Sequence, residues 1–204
     1  DKGIIALKIN SKNKQGIKEI NNAVQIACKE KIERDKKRGI INRPVRAMVV
    51  GIPNVGKSTF INAYAGRAAT KTGNKPGVTK GKQWIRLNKM EELLDTPGIL
   101  WPKFEDQEVG LRLAYIGSIK DELYNIYELS VLLLQYLREN YPNAVSNFYG
   151  IAEEKTSEET LKQIAEKRGC LKAGGEFDLD KAAKCLIDDF RAGKLGAISL
   201  EMPQ

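Results

Sequence analysis

Eight consecutive residues, Gly51-Ile52-Pro53-Asn54-Val55-Gly56-Lys57-Ser58, follow the spacing G-x-x-x-x-G-K-[ST]. Glycine-rich backbone of this kind wraps phosphate oxygens with its N–H groups, Lys57 reaches the outer phosphates, and Ser58 offers a hydroxyl to magnesium. About 40 residues later, Asp95-Thr96-Pro97-Gly98 offers a carboxylate on the metal side and a glycine backbone that can approach a terminal phosphate. Between them lies Pro76-Gly77-Val78-Thr79, and the Thr79 hydroxyl suits the same magnesium when a triphosphate is bound. The chemistry these residues fit is transfer of a terminal phosphoryl group to water. Taken singly, Asp95 also reads as a helix N-cap and Thr79 as a solvated loop threonine.

The elements that must hold these residues follow from periodicity. Arg46–Val50 reads as a central parallel strand running into Gly51, and Lys57–Ala65 as the helix that receives the phosphate loop. Residues 66–81 form a long loop rich in Gly, Thr, Lys and Asn, then Lys82–Leu87 and Met90–Leu94 read as strands joined at Asn88-Lys89, with a helix around Glu108–Gly117. Ahead of them, Gly3–Ile9 reads as a buried strand, followed by a polar turn and an amphipathic helix carrying Ile17, Ile20, Val24, Ala27 and Ile32 that stops at Gly39. From Ser118 only helices are predicted. Ser118-x-x-Asp121 and Thr156-x-x-Glu159 read as capping boxes, Pro142 ends the first helix, Gly169 the second, and Asp178 or Asp180 opens a third that ends near Gly193. The fold class is therefore α/β of the P-loop NTPase kind over 1–118, followed by a small all-α domain over 119–204.

Composition narrows the partners. The 204 residues carry 34 Lys and Arg against 26 Asp and Glu, a net charge of +8, which favours a polyanionic partner. Residues 1–50 hold 13 basic and 5 acidic side chains, whereas 119–204 hold 11 and 15, so the excess sits in the N-terminal half. Three cysteines without C-x-x-C spacing suggest neither a disulfide framework nor a zinc site, and a reducing cytoplasmic setting fits them. The absence of histidine removes the commonest general base. The longest apolar run, near Ser130–Leu137, falls far short of the roughly 20 residues that span a bilayer, so no membrane partner is expected.

Taken together, GIPNVGKST at 51–59, PGVT at 76–79 and DTPG at 95–98 resemble the first three motifs of translation-factor-type GTPases. Their order, with a strand and Ile9-Asn10-Ser11 ahead of the phosphate loop and helices after DTPG, resembles the circularly permuted GTPases. The run DTPGILWPKFEDQEVGLRLA at 95–114 with EKRGCL at 166–171 is similar to the ribosome biogenesis GTPase A family, also called YlqF. This resemblance implies a GTP- and GDP-binding factor for the large ribosomal subunit precursor. It also implies a helical C-terminal domain that contacts ribosomal RNA. Asn10, Ser11, Asn54, Val55, Gly56, Lys57, Ser58, Thr59 and Gly98 are implied at the nucleotide, and Ser58, Thr79 and Asp95 at magnesium. Asn54 matches the asparagine linked to potassium in related GTPases. The guanine-reading Asn-Lys-x-Asp is absent from these residues, since Asn13-Lys14-Gln15-Gly16 lacks the carboxylate. The family's fold implies two further strands, in a segment of about 80 residues preceding this sequence.

For catalysis the resemblance implies Lys57, Thr79 and Gly98, while Ile99 occupies the place of a water-orienting glutamine. Intrinsic turnover is therefore expected to be slow and stimulated by the ribosomal particle. For RNA, the local basic set Lys167, Arg168, Lys172, Arg191 and Lys194 is the candidate, because the domain's overall charge is negative. Two alternatives stand beside the GTPase reading: a nucleotide-responsive RNA-binding module with little turnover of its own, and a P-loop ATPase.

Overall fold

The structure, a computed structural model, describes residues 4–41, 43–71, 73, 81–88, 91–100, 106–152 and 156–201. The chain divides into two compact units, Asp1–Leu100 and Trp101–Gln204. The first unit holds α1 (Glu19–Ala27), α2 (Lys29–Lys37), β1 (Val45–Val49), α3 (Lys57–Ala65), β2 (Gln83–Arg86) and β3 (Glu91–Asp95). β3 is central in a sheet of order β1-β3-β2, parallel to β1 in the register Val49↔Asp95 and antiparallel to β2 in the register Gln83↔Asp95. That register brings the ends of β1 and β3 level, which is where the phosphate loop and the DTPG turn both begin.

Along these strands side chains alternate between faces. Ile85 and Leu93 point to the side covered by α3, where they meet the fully buried Ile61 together with Ala47, Val49 and Phe60. The opposite side carries Arg46, Met48 and Trp84, all exposed, with the Arg46 guanidinium 5.0 Å above the Trp84 ring. Tyr64 on α3 ties its neighbours together, its hydroxyl lying 2.6 Å from Asn21 Oδ1 on α1 and 3.0 Å from the buried Glu91 Oε2 on β3.

Two expectations for this unit are corrected. Residues 4–9 form no strand, and Ile4, Ile5, Leu7 and Ile9 are exposed. β1, predicted to be central, has a neighbour on one side alone among the described residues. Both differences have one cause: an apolar run becomes a strand only where another strand satisfies its N–H and C=O groups. The long helix expected to follow is two, broken at Cys28, and α2 ends as predicted at Gly39. There the Ile40 and Gly39 N–H groups donate to the carbonyls of Asp35 and Lys36, a turn that needs the positive φ of Gly39.

The second unit comprises α4 (Gln107–Tyr115), a 3-10 turn over Asp121–Leu123, α5 (Ile126–Asn140), α6 (Ala144–Tyr149), α7 (Ser157–Arg168) and α8 (Leu179–Arg191). Leu133 and Leu137 on α5, Leu161 and Ile164 on α7, and Leu186 and Ile187 on α8 form its buried centre. Thr156 and Glu159 make the predicted capping box, and Asp178 caps α8 through the Lys181 N–H. Ser118-Asp121 does not cap α5. Asn125 does, its side chain accepting from Tyr127 and Glu128, since the N-cap must directly precede the first helical turn.

Sequence periodicity sets the domain boundary near residue 118, but the packing divides the chain after Leu100. The reason is α4. It buries Ala114 and Tyr115 in the helical core, and Arg191 on α8 donates to the main-chain carbonyls of both residues at 2.8 and 3.1 Å.

Candidate functional site

Immediately after β1 the chain turns through residues 50–56 and enters α3 at Lys57. Gly51 and Gly56 have φ of +158° and +93°, and the space where a Gly56 Cβ would project is open. At +93° a side chain is strained, so glycine is the residue that lets the chain turn from the loop into α3. Asn54 at the apex has φ +59°, a conformation asparagine tolerates better than most residues. The Lys57 ammonium donates to the Ile52 carbonyl at 2.7 Å, folding back along the loop it serves. Ser58 and Thr59 occupy the first turn of α3, whose N-terminal dipole favours anions.

On the facing side, β3 ends at Asp95, a carboxylate with 1% of its surface exposed. Its Oδ1 has no hydrogen-bond partner in the interior, although the Thr96 N–H donates to the carboxyl group. Burial pushes the Asp95 pKa up, against the opposing pull of the Lys57 charge and the Thr96 N–H. Burial likewise lowers the Lys57 pKa, and the Asp95 charge opposes it. Each of these groups is therefore under-compensated for its desolvation, a condition that a bound cation and phosphate would relieve.

Thr96 does further work. Buried, it donates its hydroxyl to the Val49 carbonyl at 2.8 Å and so pins the DTPG turn to the end of β1. Two residues later, Gly98 lies so close to the phosphate loop that an added Cβ would stand 2.5 Å from Pro53 N and Cα. A glycine is required at that contact because any side chain would drive the two segments apart.

Magnesium fits this arrangement. The ion takes oxygen ligands, keeps several waters and is held by one or two protein groups together with substrate phosphates. The orphaned Asp95 oxygen and the Ser58 hydroxyl are donors of that kind. Among the described residues no cluster of three or more acidic, Cys or His side chains offers an alternative metal cage.

The sequence-predicted residues separate into groups. Lys57, Ser58, Asp95 and Gly98 come together around the phosphate loop with Asn54, Val55, Gly56 and Thr59. Thr79 lies outside the described residues. Asn10 is committed to its own turn, its side chain accepting from the N–H groups of Lys12 and Asn13 and its backbone bridging to Gln15. Ser11 follows it in that turn.

In the helical unit the five candidate RNA contacts part company. Lys167 and Lys172 are exposed. Arg168 and Lys194 both bind the buried carboxylate of Asp189, at 2.6 and 2.7 Å, and Tyr149 donates to it at 2.8 Å. Arg191 is bound by the Asp121 carboxylate and the Tyr124 hydroxyl in addition to the α4 carbonyls. Three of the five thus hold the helical unit together, because their partners, 5 to 77 residues away in sequence, fold against them.

One residue of the site escaped sequence reasoning, Thr96, which lies inside DTPG, whose outer residues take the attention.

The comparisons agree with this geometry. A family model described as 50S ribosome-binding GTPase matches residues 46–168. Ribosome biogenesis GTPase A of Bacillus licheniformis is 48% identical over 203 residues, which cover 99% of this chain and 72% of that protein. The protein of the same name from Bacillus cereus is 46% identical over 205 residues, 100% of this chain and 69% of that one. Two solved YlqF structures are also similar. One, described as GDP-bound, has a TM-score of 0.54 and 29% identity over 82% of this chain and 64% of its own. The other, a GNP-bound form from Thermotoga maritima, has a TM-score of 0.51 and 31% identity over 81% and 62%. This chain thus spans less than two thirds of the solved YlqF chains.

Proposed function

Because the chain belongs to the ribosome biogenesis GTPase A family and is a GTPase, we propose that it acts as a nucleotide-dependent switch on a precursor of the large ribosomal subunit. The observation that carries this reading is the meeting of two segments at the ends of parallel strands. The phosphate loop with Lys57 and Ser58 faces the orphaned Asp95 oxygen, and Gly98 touches Pro53.

The residues divide the work of phosphoryl transfer between them. The loop N–H groups and Lys57 take up charge on the phosphates, and Asp95 and Ser58 would hold magnesium, which would supply further neutralisation of phosphate charge. Gly98 answers to the terminal phosphate, and Thr79 joins it in the triphosphate state. The side chain that directly follows DTPG does not polarise water: Ile99 stands there, 75% exposed and apolar. Turnover in isolation is slow for that reason, and the missing group comes from potassium at Asn54, from the segment expected ahead of this sequence, from the 66–81 loop or from the ribosomal particle. The permuted order of motifs belongs to this reading, as does contact with ribosomal RNA through the exposed Lys167 and Lys172.

The test is phosphate release from GTP by the chain and by Lys57→Ala, with and without purified large subunits, in potassium and in sodium buffer. Stimulation by subunits that Lys57→Ala loses by about a hundredfold or more supports the switch. Rates that ignore the subunits while nucleotide still binds overturn it. Lys167→Glu with Lys172→Glu should flatten the salt dependence of particle binding, and an unchanged slope overturns the RNA contact.

A further inference from the structure

Asn62 lies one turn beyond Ser58 on α3, partly buried, and none of the motifs above accounts for it. Its Oδ1 accepts from the backbone N–H groups of Ala69 and Thr70, both at 2.8 Å, and its Nδ2 donates to the Thr70 carbonyl at 2.9 Å. An asparagine amide has two acceptor lone pairs and two N–H donors, and here one residue directs three of those four to the main chain of a single dipeptide. The Thr70 hydroxyl adds a longer approach, 3.4 Å to the Ser58 carbonyl. Gln83, the first residue of β2, reaches the Ala69 carbonyl at 3.5 Å.

The bonded dipeptide is the beginning of the loop that leaves α3 after Gly66 and returns at β2. Backbone at a loop root ordinarily satisfies its polar groups with water. Here the N–H groups of Ala69 and Thr70 and the Thr70 carbonyl are instead held against the turn of α3 that bears Ser58. A clamp of this kind sets where the loop starts relative to the phosphate-side end of the helix, and three bonds to main chain hold that start whatever side chains follow.

We infer that Asn62 is a positioning residue for the nucleotide: through Ala69 and Thr70 it fixes the root of the 66–81 loop beside the Ser58 turn, so that bound triphosphate is favoured over diphosphate. The inference rests on the switch reading of the same site. Only an amide does the whole task. Asp keeps the two accepted bonds and loses the donated one, and Ala loses all three.

Equilibrium binding of GDP and of a non-hydrolysable GTP analogue, both with magnesium, tests this on the whole chain, together with thermal melting of the nucleotide-free protein. Asn62→Ala should weaken the analogue about tenfold more than GDP, with Asn62→Asp between it and the parent chain. If Asn62→Ala proves unfolded, the same comparison is read from Asn62→Asp. A variant that melts earlier yet keeps the parent ratio of affinities overturns the inference, because a merely structural role lowers both affinities alike. A parent chain that binds neither nucleotide overturns the switch reading and this inference with it, and the unsubstituted control distinguishes that outcome from the first.

Discussion

The two units of this chain use their interiors differently. Among the described residues the helical unit gathers sixteen buried hydrophobic residues in one cluster, from Ala114 to Leu195, whereas the cluster of the α/β unit holds three, Ile61, Ile85 and Leu93. In the helical unit the buried Asp189 carboxylate is satisfied by Arg168, Lys194 and Tyr149, and the unpartnered buried atom there is a neutral one, the Tyr115 hydroxyl. The α/β unit buries Asp95 with an oxygen unpartnered. Burying such a group costs about 1–3 kcal/mol, and a protein retains that cost where a ligand repays it. The contrast thus lies in the size of the core and in the charge of the orphaned group: the helical unit leaves a neutral hydroxyl unpartnered, the α/β unit an ionisable carboxylate oxygen that a cation would meet.

Several substitutions break or sharpen that contrast. Leu186→Ala, at a fully buried α8 position, should cost about 2–5 kcal/mol in denaturant unfolding of the helical unit while leaving guanine nucleotide affinity unchanged. A fall in affinity equal to the loss of stability would show the units to be one cooperative body. Saturating nucleotide with magnesium does the opposite: at a hundred times the dissociation constant it should add about 2.7 kcal/mol to the α/β unit, and calorimetry should show the helical transition unmoved.

Thr96→Val should leave the buried Val49 carbonyl without its donor and cost about 1–3 kcal/mol. Its turnover should fall with the nucleotide KM little changed, and Thr96→Ser, which keeps the hydroxyl, should restore it. Restoration by serine of stability but not of turnover would separate anchoring from catalysis.

The smallest effect is a pH dependence. Burial pushes the Asp189 pKa up, but hydrogen bonds from Lys194 and Tyr149 and the charges of Arg168 and Lys194 outweigh it, leaving the carboxyl below its ordinary value. A carboxylate held low in the folded state contributes stability that is present above about pH 4 and is lost as pH falls through the folded value. Acid melting of the helical unit should therefore steepen below about pH 4, and Asp189→Asn should flatten that dependence. A profile identical in both proteins would remove Asp189 from the account.

How much of this was legible beforehand depended on the distance over which each feature is encoded. The helix stops at Gly39, Gly169 and Gly193 and the Thr156–Glu159 box rest on residues a few positions apart, and they stand as read. The strand expected before Asn10 failed because an apolar run carries no information about its neighbour. That Arg168, Arg191 and Lys194 also hold carboxylates of their own unit was not legible, because sequence does not show which carboxylate folds against a basic residue; Arg168 and Lys194 stay 39% and 52% exposed while doing so.

By itself the sequence determined the phosphate loop, the DTPG turn, the family and the helical character of residues after 118. Each is written in short runs where residue type and spacing impose the local conformation. The tertiary structure decided which polar groups meet. Thr96 reaches the Val49 carbonyl across 47 residues, Arg191 the Ala114 carbonyl across 77, and α4 joins the helices because its apolar face is buried there. Those pairings are free-energy differences among alternative partners for the same groups, and only the packed chain selects among them.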